Sequence, residues 1–310
     1  METTVFERLR IGPIELANRI ALAPVKTALG GTDGLATDRH IAYYRRRAQG
    51  GAGLLILEPL FVDPMGREHP RQLGVDADAG IPGLRRIVEA VHEEASLIFA
   101  HLNHAGRAAN PKAIGRSPEA PSAVPCPTTG ATPEPMSAER IQEVLDCYAE
   151  AARRAREAGF DGVELQLGLG YLPAQFLSLR TNSRNDEWGG EEGRWRFIDR
   201  VVALIREAVG PELALSARIS ADEKVEGGLG IDDALELGRR VESIGVDALH
   251  VVTGSACDSP PWYYQHMALP SGINERLASQ LRLAVAVPVM VAGRLGDPDR
   301  IRKVVDDGMA

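Results

Sequence analysis

Cysteine, basic charge and long apolar runs are all scarce in this sequence, and each scarcity removes a class of protein. The three cysteines, Cys126, Cys147 and Cys257, stand far apart, with neither the spacing of a disulfide framework nor that of metal ligands. Scattered thiols of this kind fit a thiol-reducing, cytoplasmic setting. Acidic residues outnumber basic ones, 43 to 35, for a formal net charge of −8, and no Lys/Arg block interleaves with aromatics, which argues against a nucleic-acid partner. No apolar run approaches the ~18 residues needed to cross a membrane, and the N-terminus lacks the charged-then-apolar pattern of a signal segment. A GxGxxG fingerprint follows none of the strand-like runs, so a dinucleotide fold is not indicated.

What is present is a chain of 310 residues, 44% hydrophobic, enough to bury one large core. Short aliphatic runs alternate with amphipathic helical patterns, the signature of a parallel sheet wrapped in helices. Strands are expected at Ile20 to Val25, Leu54 to Leu60, Ser96 to Leu102, after Gly159, at Leu213 to Ile219, Ala248 to Val252 and Val287 to Ala292. Helices are expected at Ile81 to Ala95, from an N-cap at Ser137 to Gly159, at Arg194 to Val209, after a cap at Asp232, and after Asp297-Pro298. Ala105 to Ser137 is Pro-rich, has no strand or helix period, and reads as a lid or active-site loop. The expected architecture is a single (β/α)8 TIM barrel over 1–310, with seven strands in hand and the eighth expected after Ala310.

The chain is organised around Gly159 to Gly190, GFDGVELQLGLGYLPAQFLSLRTNSRNDEWGG. A Gly stops a helix, an apolar strand follows, and Gly-punctuated backbone then presents Tyr171. This stretch resembles the signature of the old yellow enzyme family of FMN-dependent oxidoreductases, and further segments at Ala23 to Lys26 and His101 to Arg107 support the same resemblance. It implies FMN as cofactor, NAD(P)H as reductant and a small-molecule substrate, with a homo-oligomer left open. The nearest flavour is the bacterial 2,4-dienoyl-CoA reductase and 2-enoate reductase branch, although no cysteine cluster for that branch's iron–sulfur centre lies in these residues.

The resemblance gives Tyr171 the general-acid role of completing alkene reduction; without it, Tyr171 would read equally well as a packing residue. Gln166 and Leu169 fall where relatives set two donors that grip a carbonyl oxygen. Leu169 can donate nothing and Gln166 only a neutral amide N–H. Either other residues hold the substrate's activating group, or standard enone reduction is not this protein's reaction, or the pocket is simply more apolar and takes a bulkier substrate. Arg218 matches the arginine beside flavin N1 and the C2 carbonyl, the alternative being an ion pair with Glu164. Pro24, Val25 and Lys26 match the segment near flavin O4 and N5, with Lys26 replacing the usual Thr, Cys or His, either as an ammonium or as a neutral amine. Pro59 falls beside the flavin after the second strand. His101 stands where a Gln pairs with the pyrimidine edge, while His104 and Arg107 read as framework.

Gly293 and Arg294 follow the seventh strand as a phosphate-binding pair. Cys257, Asp258, Tyr263, Tyr264 and His266 either face the pocket or form a solvated loop. The function expected is hydride transfer from NAD(P)H to an activated alkene. The alternatives are a biosynthetic desaturating or aromatising flavoenzyme on a bulky substrate, and a degenerate flavin-binding protein without turnover.

Overall fold

The computed structural model describes residues 4–310. Seven parallel strands form one curled sheet: β1 (Ala21–Leu22), β2 (Leu54–Ile56), β3 (Leu97–Asn103), β4 (Gly162–Gln166), β5 (Ala214–Ser220), β6 (Ala248–Val252) and β7 (Val289–Val291), each hydrogen-bonded to the next. The register steps steadily round the sheet, with Ala21 opposite Leu54, Leu54 opposite Leu97, Phe99 opposite Gly162, Gly162 opposite Ala214, Ser216 opposite Ala248 and Leu249 opposite Val289. Between the two edges, Ala21 of β1 and Val289–Val291 of β7 line a cavity of about 200 Å³. No eighth barrel strand fills it among the described residues.

Seven helices cover the outside: α1 (Asp38–Ala48), α2 (Ile81–His92), α3 (Ala138–Ala158), α4 (Arg196–Val209), α5 (Ile231–Ile244), α6 (Ile273–Ala284) and α7 (Pro298–Asp306). Their ends follow local chemistry. Ser137 Oγ accepts the Arg140 N–H at 3.1 Å to open α3, and Gly159 closes it at φ 94°, a left-handed angle that suits glycine. Asp297 Oδ1 accepts the Asp299 N–H at 3.0 Å, with Pro298 in the first turn of α7. The main core lies between sheet and helices; within it Phe176 stacks on Phe197 at 4.3 Å.

A second core fills the barrel at the N-terminal ends of its strands, where Leu54, Ile56, Phe99, Ala214 and Ala248 meet Ile11 and Leu16. The last two belong to an antiparallel hairpin of Leu9–Ile11 with Ile14–Leu16, which closes that end and carried too few residues to read from periodicity.

Four expectations need correction. The first strand keeps only Ala21 and Leu22 in the ladder, because the chain from Ala23 onward leaves the sheet for the barrel mouth. The Leu54 to Leu60 run is interrupted: the Leu57 N–H still donates to the Phe99 carbonyl at 2.9 Å, but Pro59 has no N–H to continue the ladder, which resumes at Leu60–Phe61 against the end of β3. Asp232 is not the cap of α5; the N-cap is Gly230, whose N–H donates to Asp233 Oδ2 at 3.2 Å. Finally, Cys126 and Cys257, 131 residues apart, are joined by a disulfide. That bond withdraws the support that scattered thiols gave to a reducing compartment. It also ties down the Ala105 to Ser137 segment, which carries a short helix at Pro111–Ile114 and pairs Glu119–Ala120 with Glu134–Pro135, and so is anchored structure more than a free lid.

Candidate active site

Gln175 connects two of the segments that the sequence singled out. Its Oε1 accepts the Arg107 N–H at 3.0 Å, and its Nε2 donates to the carbonyls of Ala105 at 3.0 Å and Gly170 at 2.8 Å. The HAGR turn and the GYL turn are therefore one hydrogen-bonded unit. Arg107 donates to the Pro125 carbonyl at 2.8 Å and pairs with Asp258, which also accepts from Arg180 at 3.0 Å. His104 Nδ1 accepts the Gly106 N–H; burial, only partly offset by Asp63, pushes this imidazole down to about 4, so it stays neutral. Both residues shape the backbone that holds Tyr171 at the end of β4.

Tyr171 is buried, and its oxygen has two side-chain partners: Tyr263 Oη at 2.7 Å and Lys26 Nζ at 3.1 Å. Burial pushes the phenol well above its ordinary range, and Glu68 and Tyr263 add to the effect. Lys26 also donates to Glu68 Oε1 at 2.5 Å, and the second Glu68 oxygen accepts from Asn103 Nδ2 at 3.1 Å. Burial opposes the lysine's charge, but Glu68 and Tyr263 outweigh it and hold Lys26 above the usual lysine value. The ammonium therefore persists through neutral pH, which sets aside the neutral amine. Neither Glu68 nor Asn103 is visible as a site residue in the sequence; Glu68 lies on the loop after the β2 interruption, and no local pattern points to it.

His101, on β3, faces protein on both ring nitrogens. Its Nδ1 lies 2.8 Å from Glu164 Oε1, and its Nε2 lies 3.3 Å from Gln166 Nε2. Because the amide nitrogen can only donate, the histidine Nε2 accepts and its Nδ1–H donates to Glu164. A contact from His101 to a flavin edge would have to displace one of these bonds. His250 of β6 reaches the other Glu164 oxygen at 2.8 Å. Burial alone would raise the Glu164 carboxyl, yet the two imidazoles outweigh it and keep it far below the usual range.

Glu164 is thus occupied by histidines and not by Arg218. The Arg218 Nε is buried and donates to no described residue; Arg45, Arg67, Arg107 and Arg194 share such an Nε, but each bonds protein through a terminal nitrogen, whereas Arg218 has no side-chain hydrogen bond or ion pair among the described residues. Such an orphan calls for an acceptor-rich group at the mouth, and the nitrogen and carbonyl edge of a flavin has that chemistry. Pro24 and Pro59 are buried nearby in sequence to the mouth, and Val25 is 55% exposed, an apolar surface left open there. Gly293 has φ 119°, and a Cβ on it would come within 2.8 Å of Asn274 Nδ2; Arg294 is also left-handed at φ 55° and donates to the Leu269 carbonyl. Gln166 is spent on His101 and on the Gly168 N–H, and Leu169, at φ 58°, packs in a small apolar cluster with Tyr171 and the disulfide.

A family model, NADH:flavin oxidoreductase / NADH oxidase, matches residues 4–310. The chain belongs to this family. FMN is the family's cofactor. The chain is 38% identical over 309 residues to the NADH oxidase of Thermoanaerobacter brockii, covering 99% of itself and 47% of that protein. Among solved structures, 2-naphthoyl-CoA reductase in complex with 2-naphthoyl-CoA matches with a TM-score of 0.94 at 27% identity, over 99% of this chain and 49% of the other. Morphinone reductase in complex with tetrahydroNAD matches with a TM-score of 0.84 at 28% identity, over 99% and 84%. The chain spans about half the length of the T. brockii relative and of the naphthoyl-CoA reductase.

Proposed function

We propose that this chain is the flavin barrel of an NAD(P)H-dependent oxidoreductase of the old yellow enzyme type that reduces an activated alkene. The single observation that carries the reading is the presence at one mouth of a proton-bearing phenol, Tyr171, and an arginine, Arg218, whose buried Nε has no partner among the described residues. When bound, FMN would supply the hydride that reaches the alkene. Residues 1–310 act as one barrel domain on this reading. Arg218 would stabilise negative charge on the ring's N1 and C2-carbonyl side. Pro24, Val25, Lys26 and Pro59 would line the ring, His101 would meet its pyrimidine edge only by giving up a bond to Glu164 or Gln166, and Gly293 with Arg294 would take the phosphate through backbone N–H groups and a charge-assisted bond.

The protein's own proton chemistry centres on Tyr171, whose O–H would be given to the carbon that becomes electron-rich as hydride arrives. Gln166 and Leu169 do not supply a free pair of donors, so Lys26 is the cation nearest the phenol that could hold a substrate carbonyl. The apolar cluster at Leu169 favours a broad, flat substrate, and the aromatic acyl thioester bound by the naphthoyl-CoA reductase neighbour supports that class. A cytoplasmic setting follows from the nicotinamide reductant. Thiol titration of freshly isolated protein bears on it directly, because a closed Cys126–Cys257 pair would be exceptional there.

The deciding experiment is extraction and identification of the bound cofactor, followed by anaerobic titration with NADH and NADPH. FMN that bleaches with either nucleotide supports the proposal. FAD, or no flavin after reconstitution, defeats it.

A further inference from the structure

If Tyr171 is the proton donor, it is left as a phenolate after each turnover. The oxygen is buried, so bulk water cannot restore the proton directly. Two groups touch it, Lys26 Nζ at 3.1 Å and Tyr263 Oη at 2.7 Å, and both also line a cavity of about 160 Å³ between the 105–137 segment and the loop after β6. The Lys26 side chain is 36% exposed and lines this cavity, while Tyr171 is 1% exposed and does not, so Lys26 is the group that links the dry site to the cavity. Glu68 grips it from the far side at 2.5 Å.

We propose that Lys26 returns the proton to Tyr171, with Glu68 and Tyr263 as positioning residues; the proposal rests on the reading of Tyr171 given above. As the product C–H bond forms, the Tyr171 O–H bond breaks. The phenolate oxygen then takes a proton from Lys26 Nζ, one N–H bond breaking as one O–H bond forms, and a proton from solvent entering the cavity restores the ammonium, so that each turnover consumes one solvent proton. No electron changes hands in this step. Burial holds the phenol well above its ordinary range and, against burial, Glu68 and Tyr263 hold the ammonium above its own, so both groups are shifted in the same direction and the phenolate is a strong enough base to draw on the ammonium. Tyr263 is the poorer source, since its own loss of a proton would only move the phenolate along. Its ring lies 5.4 Å from Lys26 Nζ and its hydroxyl fixes the Tyr171 oxygen.

The first turnover needs only the proton already on Tyr171, whereas every later one needs Lys26. In the FMN-loaded enzyme saturated with an accepted alkene, Lys26→Ala should give a first phase of one product per site, at whatever rate the loss of its substrate contact leaves. A steady phase slower by about two orders of magnitude should follow, the lower end of what a positioned proton donor contributes. Phenolate absorbance should build up during that phase, and added methylamine should restore the rate in a saturable way. Lys26→Arg keeps the charge but surrenders a proton far less readily, so it should show the same burst and the same slow phase.

A Lys26→Ala protein that slows the first and later turnovers equally, or that methylamine does not rescue, overturns the proposal. So does a fully active Lys26→Arg. Tyr171→Phe separates the two levels: loss of the burst keeps Tyr171 as donor, while an unchanged alkene half-reaction removes the underlying reading itself.

Discussion

The two ends of the barrel are built on opposite principles. At the N-terminal end the interior is filled by aliphatic and aromatic side chains, Phe99 and Ile56 among them, and a hairpin closes it. At the other end the same strands deliver Tyr171, Gln166, Arg218 and His250, and the loops that follow them hold strained backbone. Among the described non-glycine residues, Ala28, Leu169, Lys224, Gln265 and Arg294 have positive φ on those loops, against Ala95 alone before a strand. The contrast teaches that packing energy is concentrated where chemistry is absent, so that strain and unpaired charge can be carried where it is present. The GYLPAQFLS segment joins the two regimes: Phe176 is anchored in the main core, while Tyr171, five residues earlier, faces the mouth.

The largest effect expected from breaking this division is kinetic. Tyr171→Phe should slow the alkene half-reaction by about two to four orders of magnitude, leave nicotinamide-driven flavin reduction nearly unchanged and leave thermal stability close to wild type. Stopped-flow traces of both half-reactions check it, and a comparable loss in flavin reduction would mean that the phenol is structural.

At the opposite end, Phe99→Ala should cost ~3–5 kcal/mol of stability while the molecules that remain folded turn over normally. The ring is fully buried and fills the space that Gly162 leaves, since a Cβ there would lie 2.5 Å from it. Urea denaturation gives the stability, and kcat per bound flavin gives the activity. A fall in kcat would show that the two ends are mechanically coupled.

A sharper test of the mouth uses Glu223, on the loop after β5. Burial first, then the neighbouring Asp258 charge, pushes its carboxyl up to about 7 from an ordinary 4.5, although the Leu229 N–H, Arg107 and Arg180 oppose this. A raised folded-state value means that the native protein holds this proton where the unfolded chain has lost it. The stabilisation is therefore complete below about pH 4.5 and is lost as pH rises through 7, with a span on the order of 3 kcal/mol. Glu223→Gln should flatten the fall in stability between pH 5 and 8 and make the variant the more stable protein at pH 8. Denaturation midpoints with the same slope in both proteins would refute the assignment.

The smallest effect concerns the Lys26–Glu68 pair. Removing the ammonium leaves Glu68 uncompensated, so Lys26→Thr should lower the flavin midpoint potential by about 30 mV, equivalent to ~1.4 kcal/mol for two electrons. Glu68→Gln should raise it by a similar amount, and the double variant should return near the wild-type value. Spectroelectrochemical titration of the four proteins decides this, and identical potentials in all four would place the pair away from the ring.

Much of the framework was legible because it depends on near neighbours in the chain. The caps at Ser137, Gly159 and Asp297, the helical stripes of α2 to α4, and Ala248 to Val252 as a strand all follow from interactions within a few residues. Tyr171 on glycine-punctuated backbone was legible for the same reason, although it sits beyond the strand end at Gln166, as the N-cap of a short helix Leu172–Leu177. The contacts that give the site its chemistry were not. Glu68, Lys26, Tyr171 and Tyr263 come from four separate loops or strand ends, and their meeting depends on how those loops run.

By itself, then, the sequence determined the order of strands and helices, the segments that turn at the mouth and the residue types available there, because periodicity, caps and glycines act locally. Only the tertiary structure decided which groups are paired. It gave Glu164 to two histidines, left Arg218 without an acceptor, charged Lys26 by setting it against Glu68, and closed Cys126 onto Cys257. The physical reason is that hydrogen bonds and ion pairs require contact within a few ångströms, and for residues tens to more than a hundred positions apart that distance is fixed by the closing of the sheet and the packing of its loops.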